Sequence, residues 1–207
     1  MEAPTANSPV KIILGSSSIA RRDILAKMGY EFTVASADID EKSIRKEQPE
    51  ELVMALAEAK ADAIIAKLRA ENNQEKDAEV ILVAADTVVV YEGAIREKPS
   101  NEEEARQFLK GYSGSHAATV SSVLVTNLKT GFRKVDFDRV EIYFREIHDE
   151  VIEKLIEEGH VLRVAGGLII EHHLVLPYVK KVVGTTDSVM GLPKALTERL
   201  MKEALAL

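Results

Sequence analysis

The run Val80-Ile81-Leu82-Val83-Ala84-Ala85-Asp86-Thr87-Val88-Val89-Val90-Tyr91 is the most strand-like stretch of the chain, rich in valine and followed by the turn residues Glu92-Gly93. Upstream of it, Pro49-Glu50-Glu51 opens a long helix to about Ala70, with acidic residues in the first turn where the helix dipole favours them. Asn72 to Asp77 reads as a polar loop between the two. Earlier still, Val10 to Leu14 is a short apolar run that ends in Gly15-Ser16-Ser17-Ser18. A helix from about Ile19 to Met28 follows, closed by Gly29, and Glu31–Ala35 reads as another strand. Downstream, Ser100-Asn101-Glu102-Glu103 resembles a capping box for a helix ending at Gly111. Strands are expected at Ala117–Thr126 and Lys134–Phe144, joined by a turn at Thr130-Gly131. A helix over Asp149–Glu158, a last strand over Leu174–Val183 and a helix starting at Pro193 complete the pattern. Strand-like and helix-like segments alternate throughout, which predicts a mixed α/β fold. No repeat, low-complexity segment or Pro/Gly-rich linker divides the chain, so 10–207 reads as one domain behind a loose lead-in of residues 1–9.

Composition narrows the function classes. The 207 residues include 27 Lys+Arg against 34 Asp+Glu, a net charge of −7 that argues against a dedicated nucleic-acid binder. With no cysteine, disulfides, thiolate metal sites and cysteine nucleophiles are all excluded. No apolar run approaches the roughly 18 residues of a membrane span, and Met1–Pro9 has neither the basic nor the apolar region of a secretory signal. A cytoplasmic globular protein is the expectation.

Chemistry is sought where polar residues interrupt apolar patterns. Asp86 is the one charge in its strand, and an unpaired carboxylate there is costly. It needs a cationic partner, a metal or a place at an open end, and Thr87 breaks the run beside it. Lys60 falls at the missing step of the helical stripe Leu52, Leu56, Ile64. Its stem can snorkel along a core edge, but together with Asp86 it suggests a charged cleft. Ser16, Ser17 and Ser18 at a helix entry, with Arg21 and Arg22 one turn in, suit a phosphate. The same residues also read as an ordinary N-cap and a solvated face. Asp38, Asp40 and Glu41 supply carboxylates that, with Asp86, would suffice for an oxygen-ligand Mg²⁺ site, although an acidic surface loop has the same composition. Lys98-Pro99 stands before a helix N-terminus, where a lysine is unfavourable unless an anion is present. The adjacent His172-His173 lack the spacing of a helical metal pair, and no histidine is given a catalytic role.

Taken in order, these segments resemble the Maf family, the septum-formation-inhibitor-like nucleoside triphosphate pyrophosphatases. The matching pieces are Leu14-Gly15-Ser16-Ser17-Ser18 with Arg21-Arg22, Asp40-Glu41, Glu58-Ala59-Lys60-Ala61, Ala85-Asp86-Thr87-Val88-Val89 and Glu97-Lys98-Pro99. Tyr112-Ser113-Gly114-Ser115-His116, Ala165-Gly166-Gly167 and Gly191-Leu192-Pro193 continue the match to about Leu200. The resemblance implies a Maf/ITPase-like α/β fold, a mixed central sheet flanked by helices with two lobes around a deep cleft. It implies hydrolysis of the α–β phosphoanhydride of a nucleoside triphosphate with a divalent metal, Mg²⁺ or Mn²⁺, as a house-cleaning activity. By position, Asp86, Glu41, Lys60 and Lys98 would be catalytic, with Glu41 and Asp86 holding the metal and Asp86 the candidate general base. Ser16, Ser17, Ser18, Arg21, Arg22, Thr87 and Glu171 would contact the substrate. Homodimers are common among proteins of this kind, but no segment marks an interface.

The segment Arg163-Val164-Ala165-Gly166-Gly167-Leu168-Ile169-Ile170-Glu171-His172 departs from the pattern of the dTTP and UTP branch, which has an aspartate in place of Arg163 and a glutamine in place of Glu171. A second branch, for 7-methyl-GTP, shares the glutamate and the extra residue filled here by Ala20. Glutamine donates and accepts hydrogen bonds whereas glutamate only accepts, so base selection should differ. Pyrimidine or modified nucleotides are expected as substrates; a 7-methyl-GTP pyrophosphatase and a nucleotide-binding regulator without turnover are the alternatives.

Overall fold

The computed structural model describes residues 10–71 and 79–206; the lead-in before Val10 and the Asn72–Asp77 loop lie outside the described residues. Val80–Tyr91 forms a strand over that whole span (β3), and helix α2 occupies Pro49–Ala70. Before them come β1 (Lys11–Gly15), α1 (Ile19–Lys27) and the two-residue β2 (Thr33–Val34). After β3 follow β4 (Ala94–Arg96), α3 (Glu102–Tyr112), β5 (His116–Asn127) and β6 (Arg133–Phe144). The chain ends with α4 (Asp149–Glu157), β7 (Val179–Val183), α5 (Thr186–Val189) and α6 (Lys194–Leu205). The seven strands form one mixed sheet in the order β2-β1-β3-β5-β6-β7, with β4 also on β3. β1 runs parallel to both β2 and β3, and the remaining pairs are antiparallel. Among the described residues, no helix is long and apolar enough to cross a membrane.

Several elements differ from their sequence reading: β2 spans only Thr33–Val34 of the expected Glu31–Ala35, α5 was not expected, and three further differences have a local cause. The last strand begins at Val179, not Leu174, because Leu176-Pro177-Tyr178 forms a 3-10 turn and proline has no N–H for a ladder. The N-cap of α3 is Asn101, whose side chain accepts from the Glu104 N–H at 2.9 Å. Glu104 reaches back to the Ser100 N–H, closing the cap one residue later than expected. β4 went unread because three residues show no periodicity. Its hairpin is set by Glu92 and Gly93, both with positive φ (49° and 79°), the geometry that joins two strands in a tight turn.

Residues alternate across the sheet, and β3 is covered on both faces. Leu82 and Ala84 pack with Ala57, Ala61 and Ile64 of α2, while Val88 and Val90 pack with Leu52, Val53 and Leu56 of the same helix. On the opposite face, Ile81, Val83 and Ala85 meet α1 and α6 through Ile24, Leu25, Leu196 and Leu200. Val89 belongs instead to a cluster built on α3 and α4. The apolar interior is therefore divided on both faces at one level of β3. Asp86 and Thr87 occupy that level.

Candidate active site

The two edges of β3 are used differently. Along one edge, β5 pairs continuously from Ile81↔Asn127 to Val90↔Ala118. Along the other, β1 pairs with Val80 to Ala84, and β4 with Val89 to Tyr91. Among the described residues, Ala85 to Val88 have no strand on that side. β1 ends at Gly15 and runs into Ser16-Ser17-Ser18; antiparallel β4 ends at Arg96 and returns Glu97-Lys98-Pro99 toward the same gap. A break in the sheet thus gathers two loops onto Asp86 and Thr87.

Asp86 points to the α2 face and is buried, 7% exposed. Lys60 Nζ donates to its Oδ1 at 2.5 Å and lies 3.0 Å from Glu41 Oε1. One ammonium, itself largely covered, bridges two carboxylates from distant parts of the chain. Burial pushes the Asp86 carboxyl above the ordinary aspartate range; Lys60 and Arg21 pull it back, and Glu41 adds to the rise. Glu41 goes the other way: partial burial raises it, but Lys60, Lys98 and Arg21 together outweigh that and hold it below the usual glutamate range. One carboxyl is held proton-seeking beside one held ionised, the separation that acid–base chemistry uses.

Thr87 projects to the opposite face. Its Oγ1 accepts from Arg21 Nη2 at 3.0 Å and lies 2.9 Å from Ser121 Oγ, which donates to the Ser188 carbonyl at 2.9 Å. Because the Ser121 proton is committed to that carbonyl, Thr87 donates to Ser121 and the chain has one direction. Arg21 also donates from Nε to the Gly191 carbonyl at 2.8 Å and from Nη1 to Ser16 Oγ at 3.2 Å. Burial lowers its pKa while Asp86 and Glu41 raise it. Arg21 therefore ties the serine loop, β3 and the segment before α6 into one unit. A side chain at Gly191, whose φ is +102°, would stand 3.0 Å from Thr87 Oγ1 and 3.1 Å from Arg21 Nε.

The remaining predicted residues divide between scaffold and surface. Ser16 is buried and accepts from the Ser18 N–H; Ser18 caps α1 by accepting from the Arg21 N–H. Ser17 and Arg22 are exposed. Lys98 is exposed and acts on Glu41 through charge. Asp40 caps a short 3-10 turn through the Lys42 N–H, which presents Glu41 toward Lys60, whereas Asp38 is exposed. Glu171 is exposed, and among the described residues no hydrogen bond or ion pair joins it to Asp86, Lys60 or Arg21. Sequence reasoning passed over Ser121 and Ser122, the β5 partners of Thr87 and Asp86. Their signal was present: two adjacent hydroxyls interrupt the apolar run between Val120 and Val125, as Asp86-Thr87 interrupt theirs.

A family model described as Maf-like protein matches residues 11–204. The chain is similar to a 7-methyl-GTP pyrophosphatase of Dictyostelium discoideum, 40% identical over 93% of this chain and 96% of the relative. It is also similar to dTTP/UTP pyrophosphatases of Caldanaerobacter subterraneus subsp. tengcongensis (35%, over 93% of this chain and 88% of the relative) and Alkaliphilus metalliredigens (32%, over 88% and 90%).

Proposed function

The chain belongs to the Maf family, and from that premise we propose that it hydrolyses nucleoside triphosphates between the α and β phosphorus atoms, releasing the monophosphate and pyrophosphate. The observation that carries this reading is the convergence of Asp86, Glu41 and Lys60 at the break in the sheet, with Lys98 acting on the same group. Water attacks the α-phosphorus, its proton passes to Asp86 Oδ, and the bond from the α-phosphorus to the bridging oxygen breaks as pyrophosphate departs. A buried carboxylate whose pKa lies above the ordinary range accepts that proton more readily than an exposed one. Lys60 and Lys98 neutralise charge that moves onto the leaving pyrophosphate. Exposed Ser17, Arg22 and the first-turn N–H groups of α1 contact phosphate oxygens, and Arg21 holds that loop in place.

The donor set fits a divalent cation. Two carboxylates already share one cationic position, and hard oxygen donors of this kind suit Mg²⁺ or Mn²⁺. Among the described residues no three of His, Asp and Glu stand together, so substrate phosphate oxygens and water would have to complete the coordination. Glu41 and Asp86 would hold it, and it would supply neutralisation of the phosphate oxygens.

Two base preferences follow the two kinds of relative. A pyrimidine triphosphate is the first reading. The 7-methyl-GTP reading is favoured by the 40% identity to the Dictyostelium protein and by Glu171, whose carboxylate can accept from the N–H groups of a guanine edge. Assaying dTTP, UTP, GTP and 7-methyl-GTP with Mg²⁺ for pyrophosphate tests reaction and base together. Inorganic phosphate as the first product would refute the reaction. Thermal stabilisation by nucleotide without any pyrophosphate would point instead to a binding regulator.

A further inference from the structure

Arg96 ends β4, two residues before Lys98, and its surroundings are unusual for an arginine. Its guanidinium carbon lies 4.1 Å from the Tyr91 ring centroid, 4.4 Å from Phe108 and 5.0 Å from Tyr112. Nη1 donates to the Phe108 carbonyl at 3.1 Å, in the second half of α3. Among the described residues it forms no ion pair within 4 Å; three aromatic faces take the place of a carboxylate. Gly111 leaves room for this box, since a Cβ there would stand 3.2 Å from Arg96 Nη2 and from Tyr91 ring atoms.

The box continues into a closed circuit. Tyr112 Oη donates to the Gly166 carbonyl at 2.8 Å, and the Gly166 N–H donates to the Glu97 carbonyl at 2.8 Å. Gly166 has φ +60°, and a Cβ on it would lie 2.6 Å from Val89 and 2.7 Å from Tyr112 Oη. Pro99 is buried against Gly167 on the other flank. The Lys98 side chain, by contrast, is exposed and makes no hydrogen bond or ion pair among the described residues. Its place is set by its backbone, which is pinned at Arg96, Glu97 and Pro99.

We propose that Arg96 and Tyr112 are positioning residues for Lys98: the cation–aromatic box and the Tyr112–Gly166–Glu97 hydrogen bonds hold the Glu97–Pro99 turn so that Lys98 meets the triphosphate. The inference rests on the reading of Lys98 as a phosphate contact. A displacement of about 1 Å at such a contact costs up to ~100-fold in rate. Arg96→Lys keeps the charge but loses the planar stacking, and Tyr112→Phe keeps the ring but loses the bond to Gly166.

The test is a double-mutant cycle on the full chain, measured as kcat/KM for pyrophosphate release from dTTP and 7-methyl-GTP with Mg²⁺. Lys98→Ala should lower it about 100-fold. Arg96→Lys and Tyr112→Phe should each lower it about 10-fold, with melting temperatures recorded to verify folding. In combination with Lys98→Ala, neither should add a further loss, because a residue acting through Lys98 has nothing left to act on. Losses that multiply in the double variants overturn the inference, as do wild-type values for Arg96→Lys and Tyr112→Phe beside an impaired Lys98→Ala. A wild-type value for Lys98→Ala itself removes the underlying reading of Lys98, a separate and recognisable failure.

Discussion

Lys60 answers two carboxylates at once, and removing it would leave both without their shared cation. Lys60→Met should destabilise the protein by about 3 kcal/mol at neutral pH, read from urea unfolding, because truncating one partner strands a buried charge. The loss has a pH signature. In the variant, ionising Asp86 places a second negative charge near Glu41, so the deficit should deepen as pH rises through the Asp86 pKa and shrink below it. Asp86→Asn removes the proton acceptor with little change of shape. It should lower kcat by about 10³-fold while nucleotide binding, followed by titration calorimetry, changes far less. Asp86 and Lys60 were legible in the sequence because each breaks an apolar pattern. Arg21 was legible as a cation at a helix start, but its commitment to Ser16, Thr87 and Gly191 was not, since Gly191 lies 170 residues away.

Among the elements, α3 and the turn around Gly166 make the sharpest predictions. The Tyr112 hydroxyl is buried, and desolvation pushes its pKa up to about 12 against the pull of Arg96. In an ultraviolet titration it should ionise well above the ordinary tyrosine range, and Tyr112→Phe should remove that late component. A group whose pKa is raised by folding contributes stability in full below its unfolded value, so the protein should lose stability as pH rises from about 10 through about 12. The opposite sign holds at the α3 cap. Hydrogen bonds from Ser100 depress the Glu104 pKa, so its contribution is present above the ordinary glutamate range and disappears as pH falls through the depressed value. Glu104→Gln should therefore be less stable than wild type at pH 7 and indistinguishable from it in strong acid, by thermal unfolding. Gly166→Ala should destabilise by about 2–3 kcal/mol, because a left-handed backbone and a 2.6 Å approach to Val89 both oppose a side chain. Long elements such as α2 and β3 were readable from periodicity, propensity and turn residues. β4 and α5 are too short for any period to register, and Leu174–Val183 looked like one strand because Pro177 was outweighed by its apolar neighbours.

For the molecule as a whole, β3 and β5 form the central ladder, and both are covered on each face by helices. Amide exchange should be slowest in Leu82–Ala85 and Val123–Val125, and fastest in the two-residue edge strand Thr33–Val34, as native-state exchange by mass spectrometry would read it. The division of the apolar interior at Asp86 and Thr87 gives the site its place: charged groups collect where four apolar clusters leave a polar seam. The sequence by itself determined the alternation of strands and helices, the mixed α/β class and the residues whose charge disagrees with their surroundings. These depend on local period and on the cost of burying a lone charge, both of which a linear pattern records. Only the tertiary structure decided that the pairing of β3 with β1 stops at Ala84 and its pairing with β4 begins at Val89, so that a gap opens beside Asp86. It alone decided that the Gly191 carbonyl holds Arg21 directly while Ser121 holds it through Thr87, and that aromatic rings flank Arg96. Those facts follow from strand register and long-range packing, where the energy lies in pairs of residues far apart in the chain, and no local pattern encodes which pairs will meet.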